Sequence, residues 1–128
     1  MHVDHIGIAT EDADELADLY GELFHGLVAH EEEFEGMWVT FLEIDGAYFE
    51  LLEPLDADTT IGRYLERRGS GIHHVALATD DIHDALENAR AAGVDLIDDE
   101  PRAGAWGHEV AFLHPGSTGG VLIEFVQH

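Results

Sequence analysis

The sequence predicts an α+β fold built from two copies of a βαβββ module that pair into one curved mixed sheet. The first observation behind this is an internal repeat. The stretch Gly71-Ile72-His73-His74-Val75-Ala76-Leu77-Ala78 restates the opening Val3-Asp4-His5-Ile6-Gly7-Ile8-Ala9, with His5 on His74, Ile6 on Val75, Gly7 on Ala76, Ile8 on Leu77 and Ala9 on Ala78. The second is that each copy is followed by a helical pattern and then by short strands, among which Val39-Thr40-Phe41-Leu42 returns as Val110-Ala111-Phe112-Leu113. The third is size: 128 residues, 45% of them hydrophobic, suit one compact domain with a shared core. The expected organisation is a single domain, 1–128, with a first module over 1–54, a linker with a short helix over 55–70, and a second module over 71–128.

Residues 2–9 alternate as a half-buried strand does, with Ile6 and Ile8 expected to face the helices and His5, Gly7 and Ala9 the opposite side. Thr10 to Asp14 offers a cap and an acidic first turn, and Ala13, Leu16, Leu19, Tyr20 and Leu23 recur at helical spacing up to Gly26. Leu27 to Glu33 and Met37 to Ile44 read as strands turning at Gly36. Asp45-Gly46 is a hairpin signal leading into Ala47 to Glu53. Within the linker, Thr59 or Thr60 caps a short helix whose Ile61, Tyr64 and Leu65 face inward. The second module follows the same order: a strand at the doubled histidine, a helix bearing Ile82, Ala85, Leu86 and Ala89 that stops by Gly93, and strands at Val94 to Asp98, Glu109 to Leu113 and Val121 to Gln127. A long loop over Asp99 to Gly107 and a Gly-rich turn over His114 to Gly120 connect them.

Composition narrows the function. Twenty-eight acidic residues against five basic ones give a formal charge of −23. Such a surface repels nucleic acid and anionic membranes. Apolar periodicity survives between the charges, so the chain reads as folded with an acidic shell, a composition that suits a halophilic cytosol where molar salt shortens the Debye length to about 3 Å. No apolar run approaches the roughly 18 to 20 residues a membrane span requires, and no basic leader precedes one, so a soluble, cytoplasmic protein is expected. Cysteine is absent, which excludes disulfides, thiolate metal sites and cysteine nucleophiles.

The repeat also locates chemistry. Setting the final strands in register puts Tyr48-Phe49-Glu50-Leu51-Leu52 on Leu122-Ile123-Glu124-Phe125-Val126, one carboxylate in each apolar run. A buried ionised Glu is costly without a compensating partner, and two of them in equivalent strands ask for a shared cation. His5 and His74 as neutral imidazoles, with Glu50 and Glu124 as carboxylates, balance one divalent ion; this donor set suits Mn, Fe, Co, Ni or Zn. A lone strand histidine is ordinarily a hydrogen-bonded structural residue, but core packing does not call for His and Glu to recur together. His74 is preferred over His73 because it registers with His5 and shares its face. His2, His25, His30, His83 and His128 read as exposed; His108 and His114 flank loops of the second module and receive no role. The loop Arg102-Ala103-Gly104-Ala105-Trp106-Gly107 lacks the third glycine and the following helix of a dinucleotide fingerprint, though it is placed to cover a ligand.

With these residues in view, the chain resembles the vicinal-oxygen-chelate (glyoxalase-like) superfamily, and within it the methylmalonyl-CoA epimerases. The words that carry the likeness are Asp4-His5-Ile6-Gly7-Ile8-Ala9, Glu50-Leu51-Leu52-Glu53-Pro54, Gly71-Ile72-His73-His74-Val75-Ala76, Asp99-Glu100-Pro101-Arg102, and Phe112-Leu113-His114-Pro115 through Gly119-Gly120-Val121-Leu122-Ile123-Glu124. The resemblance implies a divalent metal on His5, Glu50, His74 and Glu124, and interconversion of the (R) and (S) epimers of an acyl-CoA substrate, methylmalonyl-CoA. It implies α-proton removal through a metal-stabilised enolate, with Glu124 as one acid/base, and a homodimer. Some family members carry a second catalytic carboxylate where this sequence has Val39, so Glu35, Glu50 or a water must serve instead. The Lys that often follows their His-Pro pair is Gly116 here, which leaves Arg63, Arg67, Arg68, Arg102 or backbone amides for the CoA phosphates.

Other activities fit parts of this pattern. Glyoxalase I shares the His/Glu set and enolate-type chemistry but acts on a thiol adduct. An iron dioxygenase needs only two His and one carboxylate, so the fourth ligand argues against it. A small-molecule binding protein of the same fold commonly lacks the ligands kept here.

Overall fold

The computed structural model describes residues 1–128, which fall into two compact units: His5–His73, and Met1–Asp4 with His74–His128. The first unit carries β1 (His2–Ala9, from His5 onward), α1 (Ala13–Phe24), β2 (Leu27–Phe34), β3 (Met37–Ile44), β4 (Ala47–Pro54) and α2 (Thr60–Arg68). Its strands lie in the order β2-β3-β4-β1, antiparallel except for the parallel β4/β1 pair. Asp12 caps α1, its carboxylate accepting the Glu15 N–H at 3.0 Å, while Asp14 and Glu15 complement the helix dipole. The helix ends at His25, which takes the left-handed conformation at φ 59°. Gly26, one residue on, is needed for a different reason: a Cβ there would stand 2.7 Å from Leu42 Cδ2. Asp45 and Gly46 both have positive φ, 49° and 91°, as the expected tight hairpin requires. The core joins Ile8, Ala13, Ala17, Leu42 and Leu51, so the apolar face of α1 covers one side of the sheet. Thr59 caps α2, accepting from the Gly62 N–H at 3.0 Å; Ile61 is buried, and the Tyr64 hydroxyl donates to the Ile72 carbonyl at 2.9 Å.

The second unit repeats this order with β5 (Gly71–Ala78, from His74 onward), α3 (Ile82–Ala91), β6 (Arg102–Ala103), β7 (Glu109–Leu113) and β8 (Ile123–Gln127), arranged β5-β8-β7-β6. Ile82, Ala85, Leu86 and Ala89 pack on Ala111, Leu113 and Phe125. The helix starts match closely. Asp12 and Asp81 both cap, and the N–H groups of Ala13 and Ile82 donate to Glu53 Oε1 and Gln127 Oε1 at 2.7 and 2.8 Å. The α+β class and the repeated βαβββ module are therefore those expected.

Three expectations for the second module are corrected. Val94 to Asp98 forms only a single bridge, Leu96 to Leu113, because the Asp98 carboxylate accepts the Phe112 N–H at 2.8 Å and closes the ladder with a side chain. The span Asp99 to Gly107 is not all loop: it holds the two-residue β6 and a 3₁₀ turn over Ala105–Gly107. The last strand begins at Ile123, since the Thr118 hydroxyl donates to the Val121 carbonyl at 2.7 Å and keeps that segment in the turn. No helix is long and apolar enough to cross a membrane.

Candidate metal centre

Within the first unit, the parallel β1/β4 ladder sets Gly7 opposite Glu50. His5, two residues before Gly7 and on the same face, reaches Glu50, with Nε2 3.4 Å from Oε1. Both are buried. Phe41 lies opposite Glu50 across β3/β4 and meets the His5 ring edge-on, centroids 5.7 Å apart at 87°.

The second unit rebuilds the same arrangement from equivalent positions. Ala76 stands opposite Glu124 in the parallel β5/β8 ladder, and Phe112 opposite Glu124 across β7/β8. His74 Nε2 is 3.7 Å from Glu124 Oε1, and Phe112 meets its ring edge-on at 5.5 Å and 84°. His74 and Glu124 are also buried. His73 is half-buried and packs edge-on against Tyr64 at 4.8 Å, in the first unit.

The donor chemistry fits a divalent ion. Each pair is wider than a charge-assisted hydrogen bond of about 2.7–2.9 Å. Donors about 2.1 Å from one ion stand about 3.0–3.4 Å apart at octahedral or tetrahedral angles, which is nearer to the spacing of each pair. The ring edges of Phe41 and Phe112 restrict rotation of the two imidazoles, as a supporting shell does.

Several features were missed in the sequence. Phe41 and Phe112 could have been found, because they coincide under the same repeat that aligns the ligands, as do the helix-start acceptors Glu53 and Gln127. His30 was expected to be exposed and is not: it is half-buried, with its ring 6.3 Å from Phe41 and Nε2 3.4 Å from Glu32 Oε2. His128 is exposed as expected, yet its Nε2 lies 2.6 Å from the buried Asp4 carboxylate, and its ring centroid is 3.9 Å from that of His108, the planes tilted at 38°. Among the arginines, Arg63 donates to the Asp58 carbonyl, Arg90 pairs with Glu87 and Arg102 with Asp98. Arg67 and Arg68 end α2 without an acidic partner, Arg68 lying over the Tyr64 ring.

A twice-used βαβββ module with one buried His/Glu pair in each copy defines a glyoxalase-like protein. Residues 4–112 match the glyoxalase/bleomycin resistance protein/dioxygenase superfamily, and the chain belongs to it. It is 38% identical over 125 residues to a mitochondrial methylmalonyl-CoA epimerase of Dictyostelium discoideum, covering 95% of this chain and 75% of that protein. It is 33% identical over 129 residues to an ethylmalonyl-CoA/methylmalonyl-CoA epimerase of Cereibacter sphaeroides, covering 98% and 96%. A Streptomyces coelicolor methylmalonyl-CoA epimerase variant in complex with 2-nitronate-propionyl-CoA superposes with a TM-score of 0.93 at 36% identity, over 99% of this chain and 94% of that one. The chain is thus an epimerase homologue, as its motifs suggested.

Proposed function

We propose that this protein interconverts (R)- and (S)-methylmalonyl-CoA, with His5, Glu50, His74 and Glu124 holding one divalent ion and Glu124 carrying the α-proton. The observation that supports this most is the recurrence of one His-Glu-Phe arrangement, in one register, in both units. A bound divalent ion would supply Lewis-acid stabilisation of the charge that develops on the thioester oxygen as the α-proton leaves. His5 and His74 act as neutral donors whose ring planes are held by Phe41 and Phe112. Glu124 takes the proton at a carboxylate oxygen on one face of the α-carbon and returns one in the reverse direction. Small residues beside the carboxylates, Gly7 and Ala76, leave room for the acyl group.

Arg67 and Arg68 are the cationic groups we assign to the CoA phosphates, since the other arginines are engaged within the chain. The metal is Co, Mn, Ni, Zn or Fe, the assembly a homodimer, and the setting a salt-rich cytoplasm matched to the acidic surface. The test compares two substrates. Metal-loaded protein in molar KCl should invert either epimer of methylmalonyl-CoA and leave a glutathione hemithioacetal unchanged. Turnover of the hemithioacetal alone would move the assignment to glyoxalase I, and turnover of neither would favour a binding protein.

A further inference from the structure

We propose that Glu53 and Gln127 are the positioning residues of the two His/Glu pairs, each clamping the strand that carries the carboxylate to the strand that carries the histidine; this rests on the metal-binding reading above. Glu53 lies three residues past Glu50 in β4, and Gln127 three past Glu124 in β8. That odd offset turns both side chains away from the ligands, to the face where Phe49 and Leu51 meet α1 and Phe125 meets α3.

The clamp begins where each histidine strand leaves the sheet. The parallel β1/β4 ladder runs to Ala9 opposite Leu52, and the Thr10 N–H then donates to the Leu52 carbonyl at 3.0 Å. The chain turns into α1, with the Thr10 hydroxyl accepting the Asp12 N–H at 3.2 Å and the Asp12 carboxylate accepting the Glu15 N–H at 3.0 Å. Ala13, the first helical residue, presents an N–H that the helix itself does not satisfy. Glu53 Oε1 accepts it at 2.7 Å, which adds one rung, made of a side chain, beyond the last backbone rung. The second unit repeats each of these bonds. Thr79 N–H donates to the Val126 carbonyl at 2.9 Å, Asp81 N–H to the Thr79 hydroxyl at 3.3 Å, Asp84 N–H to the Asp81 carboxylate at 3.1 Å, and Ile82 N–H to Gln127 Oε1 at 2.8 Å.

Capping alone does not call for this arrangement, because water or an acceptor of the same turn satisfies a helix start equally well. Here the acceptors come from 40 and 45 residues away, from the ligand strand in both units and at one offset from its carboxylate. The two side chains share an oxygen at that place and differ in charge, so what the repeat preserves is a position. The position matters to the site through the parallel ladders. Gly7 stands opposite Glu50 and Ala76 opposite Glu124, each two residues beyond its histidine. Sliding β4 along β1, or β8 along β5, therefore changes directly the separations of 3.4 Å between His5 and Glu50 and 3.7 Å between His74 and Glu124.

The test loads the full chain with Co²⁺ in molar KCl and reads the dissociation constant, the visible Co²⁺ spectrum and the urea midpoint. Glu53→Leu and Gln127→Leu remove the acceptor; each should weaken Co²⁺ binding about tenfold or more and alter the spectrum, as loss of an outer hydrogen-bond partner does at a metal site. Glu53→Gln and Gln127→Glu keep the oxygen and exchange the charge, and should bind within a few-fold of wild type with its spectrum. Glu53→Asp and Gln127→Asn, one methylene shorter, should show the same losses more weakly, and they carry the test if a leucine variant does not fold. A lowered urea midpoint with wild-type Co²⁺ affinity and spectrum would reduce the clamp to a helix cap and overturn the proposal, as would a Glu53→Gln variant that binds as weakly as Glu53→Leu; either leaves the metal-binding reading standing. A wild type that binds no Co²⁺ would remove both.

Discussion

Glu124 stands directly opposite Ala76 in the parallel β5/β8 ladder, as Glu50 stands opposite Gly7 between β1 and β4. Ala76 is fully buried among Ala78, Val110 and Val126, so a larger side chain there crowds its neighbours, the directly opposed carboxylate among them. Ala76→Val should weaken metal binding and slow inversion at least tenfold while the far-UV circular dichroism in molar KCl is kept. Unchanged metal affinity would show that the space beside Glu124 plays no part in the site.

Thr40 offers a test of stability independent of function. Its hydroxyl is buried, the residue being 1% exposed, and it has no hydrogen-bond partner. The equivalent position in the second unit is Ala111, which is purely apolar. An unpaired buried hydroxyl costs about 1–3 kcal/mol, so Thr40→Val should stabilise by about 1 kcal/mol, read as a higher urea midpoint. A lower midpoint would mean that the hydroxyl is satisfied in solution.

These two sites also show how far the sequence was legible. The repeat that placed His5 on His74 and Glu50 on Glu124 is the repeat that the ladders reproduce, because strand register follows the apolar alternation that a sequence displays directly. Edges of elements were less legible where side chains replace backbone partners: Asp98 ends one strand and Thr118 delays another. His30 was hidden by the bulge before it, since one inserted residue reverses which face a strand presents and leaves no mark in the alternation. Glu53 and Gln127 escaped notice because an amide and a carboxylate, different in charge, do the same work through one oxygen each.

Net charge sets a condition on all of this. At −23, self-repulsion opposes folding in dilute buffer and is screened in concentrated salt. The thermal midpoint should therefore climb between dilute buffer and molar KCl. Equal midpoints would contradict a halophilic setting.

Arg67 and Arg68 are the two arginines that neither a carboxylate nor a backbone carbonyl of the chain engages. Replacing both with Glu should raise KM for the CoA thioester tenfold or more, with kcat within a few-fold of wild type and the effect shrinking as salt rises. An unchanged KM would place the phosphates elsewhere.

The central claim, that the two His/Glu pairs serve one ion, is tested most directly by the stoichiometry of metal binding. Native mass spectrometry of the reloaded wild type should give one divalent ion per chain, and His5→Ala, Glu50→Ala, His74→Ala and Glu124→Ala should each lose it or bind at least tenfold more weakly. Two ions per wild-type chain, with one surviving when either pair is removed, would contradict the account.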